Sequence, residues 1–366
     1  MTRRLRVALT IEQSWHDVPG GTAGAALGMG RALTATGAVD VAGVAARHRR
    51  PAPDPWAPSF RVHQLPLPRV ALYESWHRLR APSVERATGP VDVIHATAFP
   101  VPPRSRPLVV TIHDLAWLAD PGNFTRRGVR FFRRGLDLAR ADADLVLCPS
   151  EATRGDCLRH GFEAGRVRVV PLGVDVRPAA PADVERVARR YGLARPYVLW
   201  TGTIEPRKNL PGLLRAYRSL GADLDLVLAG PRGWNEDLDA LVGEDRERVR
   251  VLGFVPADDL PGLYAGAALF CFPSFMEGFG FPVLEAMAQG TPVVTSRGTS
   301  TEEVAGGAAV LVDPSDASSI AAGMQELIDD GGRAAALRDA GRARAAEYGW
   351  ERTARMLVEA YEEVTS

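Results

Sequence analysis

The sequence predicts an α/β protein made of two doubly wound halves, each a parallel sheet with helices on both faces. Three observations predict it. At 366 residues the chain is long for one hydrophobic core and suits two domains of ordinary size. Both halves alternate short apolar runs rich in β-branched residues with helical patterns, the mark of βαβ units. Near the middle, Pro171-Leu172-Gly173-Val174-Asp175, followed by Pro178, Ala179, Ala180 and Pro181, interrupts that alternation as a linker would. Domains are therefore expected over 1–172 and 182–348, with a linker over 173–181 and a closing helical segment over 349–366.

In the first half the strands are predicted at Arg6–Thr10, Val39–Val44, Asp92–His95, Leu108–Ile112, Leu145–Cys148 and Val167–Val170. Helices are predicted near Thr22–Ala35, Leu72–Ala87, Arg126–Ala141 and Glu151–Arg159. The second half repeats the pattern, with strands at Tyr197–Trp200, Leu224–Leu228, Val249–Leu252, Leu269–Phe272, Val293–Thr295 and Val310–Val312. Trp350–Tyr361 reads as an amphipathic helix. Ligands of such sheets gather at the carboxyl ends of the strands.

Composition narrows the function. Hydrophobic residues make up 46% and charged residues 24%, as in soluble globular proteins. Lys plus Arg equals Asp plus Glu, 44 against 44, so the chain lacks the basic footprint of a nucleic-acid binder. The apolar run after Arg3 and Arg4 is too short for a secretory h-region and reads as a first buried strand. No segment approaches the uncharged length of a transmembrane helix. Cys148, Cys157 and Cys271 are odd in number and lack metal-ligand spacing, which suits a reducing cytoplasm. Only one lysine occurs, Lys208, which marks either a place where a compact ammonium is needed rather than a guanidinium or a chance survival in an arginine-rich chain.

The chain is organised around Phe272 to Gly290. A short strand runs into a turn with two glycines, and Pro282 then opens a helix, where its missing N–H costs nothing. Glu277 falls in the loop and Glu285 in the first helical turns. Between them the N–H groups from about Gly280 to Leu284 form an anion site at the positive end of the helix dipole. Acids flanking an anion cradle suit a ligand with both hydroxyls and phosphate, such as a sugar nucleotide. The loop Gly202-Thr203-Ile204-Glu205-Pro206-Arg207-Lys208-Asn209 follows the first strand of the second half. Arg207 by its fork and Lys208 as a point charge can hold a diphosphate there.

The segment Glu277-Gly278-Phe279-Gly280-Phe281-Pro282 with Leu284-Glu285 closely resembles the signature of the retaining GT-B glycosyltransferases of family 4, and the 202–209 loop resembles that family's phosphate-binding loop. The resemblance extends over nearly the whole chain. It implies a GT-B fold, two Rossmann-like domains facing across a cleft, and a last helix that crosses back to the first domain. It implies transfer of a hexose from a UDP-, GDP- or dTDP-sugar with retention and without a metal or other cofactor, and it leans toward GDP-mannose. Catalytic roles would fall to Arg207, Lys208, Glu277 and the His113-Asp114 pair, whose counterpart contacts the donor sugar. Donor contacts would come from Gly20 and Gly21, from Gly278, Phe279, Gly280, Leu284 and Glu285, and from two loops, Gly230–Trp234 and Gly253–Pro256, that include Gly230 and Phe254. For Gly20 and Gly21 a tight turn serving helix packing is an equal reading from the residues alone, and His95 reads as structural.

Arg126, Arg127, Arg130, Arg133 and Arg134 fall within roughly 120° of one another on a helix. They make either a solvated basic face or a docking face for an anionic acceptor or anionic lipid at the inner membrane surface. The Asp-x-Asp triplets at Asp142/Asp144, Asp223/Asp225 and Asp237/Asp239 read as strand and helix starts rather than metal ligands. The acceptor stays open; Trp15, Trp56, Tyr73, Trp76, Trp117 and Phe124 are candidates to line its side. A sugar-nucleotide epimerase or hydrolase, or a non-catalytic sugar-nucleotide sensor, would share the fold and the nucleotide site. A dinucleotide oxidoreductase is disfavoured, because the first βα turn lacks Gly-x-Gly-x-x-Gly.

Overall fold

The computed structural model describes residues 4–366 apart from 222 and 234–235, so Trp234 of the predicted pocket loop lies outside the described residues. The chain forms two compact units, Met1–Gly173 with Trp350–Ser366, and Val174–Gly349.

The first unit is built on a parallel sheet ordered β3-β2-β1-β4-β5-β6-β7. Its strands are β1 (Leu5–Thr10), β2 (Val39–Ala45), β3 (Val62–Gln64), β4 (Val93–Ala96), β5 (Leu108–Thr111), β6 (Leu145–Cys148) and β7 (Val167–Val169). Six of these match the sequence expectation within a residue at each end. The edge strand β3 does not, because Val62-His63-Gln64 carries a single apolar residue and no alternation long enough to read. The predicted 72–87 helix is instead two helices, Arg69–Arg78 and Glu85–Thr88. Arg80 takes left-handed backbone, φ 51°, and its guanidinium donates to the carbonyls of Trp76 (2.9 Å), Val101 (2.9 Å) and Pro102 (2.8 Å). Pro82, with no N–H to give, then rules out another helical turn.

The last helix, Trp350–Thr365, lies against Gly20–Thr36 within this unit and buries Thr353, Ala354, Leu357, Ala360 and Tyr361, one stripe at helical spacing. The small residues of the partner helix make the approach feasible. A Cβ on Gly28 would sit 2.2 Å from the Trp350 indole, and one on Gly173 2.5 Å from it.

The second unit holds a parallel sheet ordered β10-β9-β8-β11-β12-β13. Here the strands are β8 (Tyr197–Thr201), β9 (Asp225–Ala229), β10 (Val249–Gly253), β11 (Leu269–Phe272), β12 (Val293–Ser296) and β13 (Val310–Val312). Every residue of β8, β9, β11 and β12 is buried, as expected for strands covered on both faces. In each sheet the strand order reverses at one place, between β1 and β4 and between β8 and β11. Loops leaving such a pair diverge and open a crevice at the carboxyl edge.

Candidate active site

The loops after β8 and β11, the pair at the reversal point of the second sheet, carry the charged residues picked out in the sequence. The first turns through Gly202 (φ 147°) and a short 3-10 segment, Pro206–Lys208. It ends on Asn209 in left-handed backbone, φ 55°. Asn209 caps the Leu210–Arg218 helix, its Oδ1 accepting from the Gly212 N–H at 3.2 Å. Its Nδ2 donates to the carbonyls of Pro273 (3.1 Å) and Pro314 (2.6 Å). The Phe275 N–H donates to the Arg207 carbonyl at 2.8 Å, so the two loops are laced together independently of their charged side chains.

On this frame two cations meet two carboxylates. Arg207 Nη1 donates to Glu277 Oε2 at 2.7 Å and to the Met276 carbonyl at 3.1 Å, and its Nη2 lies 2.7 Å from Glu205 Oε1. Lys208 Nζ donates to Glu277 Oε1 at 2.9 Å and sits 4.8 Å from the centre of the Phe272 ring. Ser274 Oγ donates to the same oxygen of Glu277 at 3.0 Å. Burial would lift the Glu277 carboxyl, but the adjacent Arg207 and Lys208 outweigh it and bring its pKa down to about 2. Glu205 goes the other way: burial raises it, against the pull of Arg207 and Lys208. Arg207 is 26% exposed where Lys208 and Glu277 are 8%, so Arg207 is the member that faces outward. Cations held this way are already in position when a charge arrives and need little reorganisation to meet it.

Glu285 stands apart from this cluster. It lies on the Phe281–Ala288 helix, where it accepts a hydrogen bond from Tyr264 Oη at 2.8 Å. The Tyr264 hydroxyl is itself 2.7 Å from Thr201 Oγ1; with its proton given to Glu285, it accepts from Thr201. Burial raises the Glu285 pKa, against the opposing Tyr264 bond. The helix begins after Gly280, φ 108°, with no side chain capping it, and a Cβ at Gly280 would meet Thr301 Cγ2 at 2.9 Å. Two of the expected donor contacts change character here. The Leu284 side chain is wholly buried, and Phe279 is packed edge-on between Phe281 (5.3 Å) and Tyr348 (5.8 Å). Both side chains serve the core, so only their backbone could face a ligand. Gly230 is forced by close approach: a Cβ there would fall 1.9 Å from the Gly202 carbonyl oxygen. Phe254 is exposed, 56%, on the following loop.

In the first unit, Thr97, just after β4, bonds both Thr10, the last residue of β1, and Gln13; β1 and β4 are the strands at that sheet's reversal point. His113 Nε2 donates to the Thr97 carbonyl at 2.9 Å, and burial lowers its pKa. Asp114 Oδ1 accepts from the Ala116 N–H at 3.1 Å, which starts the next helical turn. Gly20 opens the Gly20–Thr36 helix with φ 61°, and nothing lies within 4 Å of a Cβ built on it; Gly21 follows, exposed. His95 is fully buried, 2.7 Å from both Tyr361 Oη and Thr111 Oγ1, a structural histidine. Trp76 and Trp117 are 2% exposed and belong to the core, so they do not line an acceptor surface.

Sequence reasoning misses Glu205, Asn209, Ser274 and Tyr264 as site residues. Glu205 and Asn209 stand in the 202–209 loop beside the more conspicuous cations; Ser274 and Tyr264 become neighbours only through the fold. The Asp-x-Asp triplets are occupied within the protein. Asp142 pairs with Arg80 (2.7 Å) and ends a helix rather than starting one, and Asp144 pairs with Arg104 (2.5 Å). Asp225 opens β9 beside Arg195 and Arg248, Asp237 caps the Leu238–Val242 helix, and Asp239 pairs with Arg232.

Residues 185–344 match the family described as glycosyl transferases group 1, and residues 19–177 match glycosyltransferase family 4. The O-antigen chain mannosyltransferase B of Escherichia coli is 38% identical over 281 residues, 74% of either chain. A D-inositol 3-phosphate glycosyltransferase of Catenulispora acidiphila is 32% identical over 349 residues, 87% of this chain and 81% of that one. Among solved structures, sucrose-phosphate synthase from Thermosynechococcus elongatus superposes with a TM-score of 0.79 at 24% identity, over 98% of this chain and 99% of that one. Anabaena HepE in complex with UDP and glucose gives 0.77 at 20% identity, over 98% and 100%. At these identities the structural likeness is one of fold.

Proposed function

Because this chain belongs to the group 1 glycosyltransferases and has their GT-B fold, we propose that it moves a hexose of mannose or glucose type from a nucleoside diphosphate sugar to an acceptor. In this reading transfer proceeds with retention at the anomeric carbon and without a metal ion. The observation that carries it is the pair Arg207 and Lys208, fixed on Glu277 at the carboxyl ends of β8 and β11. Breaking the C–O bond of the donor builds negative charge on the departing diphosphate. Two cations already in place stabilise that charge, which is the largest single contribution in many enzymes. As the diphosphate takes up Arg207 and Lys208, Glu277 gains oxygens to accept from hexose hydroxyls. Glu285 accepts from the ribose, and the backbone of Gly278, Gly280 and Leu284 approaches the phosphates. Gly20, Gly21, His113 and Asp114 act toward the donor, as the family resemblance implies.

Relatives from Escherichia coli and Mycolicibacterium hassiacum are named mannosyltransferases, which favours a GDP-mannose type of donor. In this reading the reaction takes place in the cytoplasm, and the side of the Arg126–Asp142 helix that carries Arg127, Arg130 and Arg134 is available to an anionic surface. The test is a thermal-shift screen with UDP, GDP and dTDP, followed by donor turnover with and without acceptors. The matching nucleotide at 100 times its dissociation constant should stabilise by about 2.7 kcal/mol. Stabilisation by none of the three, or donor consumption that needs no acceptor, would overturn the reading.

A further inference from the structure

Between the helices Arg69–Arg78 and Arg126–Asp142 lies an open groove of about 750 Å³. Its floor is aromatic, with Phe131 stacked on His77 at 4.4 Å between ring centroids and on Tyr73 at 5.6 Å. Its rim is cationic: Arg78, Arg127, Arg130 and Arg134 face a single carboxylate, Glu74. That carboxylate is shared, 3.0 Å from Arg78 and 3.5 Å from Arg127, whose side chains remain 77% and 70% exposed. Arg134 is aimed by a bond from its Nε to the His77 carbonyl at 3.1 Å, which leaves its outer nitrogens unengaged among the described residues. Burial takes His77 down to about 4, so the ring adds no charge. Four guanidinium groups around one carboxylate repel one another until an anion joins them. Their planar forks match phosphate oxygens two at a time.

Resting on the transferase reading, we propose that this groove binds a phosphate ester carried by the sugar acceptor. The aromatic floor takes the apolar face of the ligand while the arginines take the phosphate. The phosphate arrives either on a soluble acceptor or on a lipid headgroup, and the test separates the two.

Protein carrying Arg207→Gln, Lys208→Ala and Glu277→Gln, which silences the other cation pair without leaving its buried carboxylate uncompensated, is titrated calorimetrically with inorganic pyrophosphate. Two further changes are compared on that background. Arg127→Gln with Arg130→Gln removes groove charge. Arg126→Gln with Arg133→Gln removes the same charge from exposed positions of the same helix outside the groove. The groove variant should bind about tenfold more weakly or worse, the loss of at least one charge-assisted contact, while the control binds normally. Equal loss in both, loss in neither, or no pyrophosphate bound to begin with overturns the proposal. The same variants are then sedimented with vesicles of phosphatidylcholine alone and of an equimolar mixture with phosphatidylglycerol. Groove-dependent binding to the mixture alone assigns the phosphate to a lipid headgroup, and groove-dependent pyrophosphate binding without vesicle binding assigns it to a soluble acceptor. The titration uses no donor, so a failed nucleotide screen would sink the transferase reading and leave this measurement standing.

Discussion

Lys208 Nζ lies 2.9 Å from Glu277 Oε1, and both side chains are only 8% exposed. A pair this buried contributes little net stability, but removing one partner leaves the other charge uncompensated. Glu277→Gln should therefore destabilise the protein by about 3 kcal/mol at neutral pH, read by urea denaturation. The pH dependence gives the sharper signature. Glu277 is depressed from 4.5 to about 2, so the pair's contribution is complete above the unfolded value and is lost as pH falls through the folded one. The gap between wild type and Glu277→Gln should be constant down to about pH 4.5 and close toward pH 2. A gap that does not change with pH would assign the effect to packing instead.

Glu285 is coupled to Tyr264, not to the cations, and its loss should act on nucleotide affinity. Glu285→Ala should weaken nucleotide binding by roughly 1.5–3 kcal/mol, the range for hydrogen bonds to a charged group. Burial raises the Glu285 pKa and the Tyr264 bond restrains it, so Tyr264→Phe should raise it further. The acid side of the affinity profile, where the carboxylate protonates and binding falls, should then move to higher pH. Calorimetry across that limb checks it, and an unmoved limb would detach Tyr264 from the site.

Turnover should survive EDTA, since Arg207 and Lys208 already supply the positive charge that a leaving diphosphate requires. Activity lost to chelation and restored by Mg²⁺ or Mn²⁺ would assign that task to a metal.

The charged loops were legible because they are contiguous in sequence and use residue types with few structural excuses: a lone lysine, two acids, and glycines at strand ends. What the sequence hid is pairwise and distant. Glu277 reads as a free hydroxyl acceptor, and only the fold brings it onto Arg207, 70 residues earlier, and Lys208. Tyr264 stands in no motif of the sequence, and only the fold brings its hydroxyl within 2.8 Å of Glu285. The strands followed from apolar runs buried on both faces, whereas β3 sits at a sheet edge and carries no such run. The 72–87 region keeps helical periodicity past Arg78, but Arg80 ends the helix through carbonyls contributed by distant Val101 and Pro102.

The Gly20–Thr36 helix allows a contrast within one element. Gly28 has no room for a Cβ, with Trp350 atoms 2.2 Å away, so Gly28→Val should overpack the helix pair and cost about 1–3 kcal/mol or more. A Cβ at Gly24 meets only Trp56 at 4.0 Å, ordinary contact distance. Gly24→Ala should therefore raise stability by about 0.5–1 kcal/mol, the helix-propensity gain. Thermal melts of the two variants should shift in opposite directions.

Lys208 brings composition and geometry to bear on one side chain. It is the only lysine among 44 basic residues, and its stem runs past Gly202, where a Cβ would sit 3.0 Å from Lys208 Cδ. Its ammonium rests over Phe272 at 4.8 Å and on Glu277 at 2.9 Å. That slot admits a slim stem and a compact head. A guanidinium would press its plane against Gly202 or leave the ring, and would compete with Arg207 for Glu277. Lys208→Ala should lower turnover by about 10²–10³, comparable with losing one preorganised donor to a developing oxyanion. Lys208→Arg, which keeps the charge, should lose most of the activity as well. By contrast, Arg126→Lys and Arg133→Lys, at exposed positions of another helix, should leave turnover unchanged. Steady-state kinetics on purified variants with matched melting temperatures decides the matter. Near-normal turnover in Lys208→Arg would mean that charge alone is required there, and the shape of the slot would have no part in catalysis.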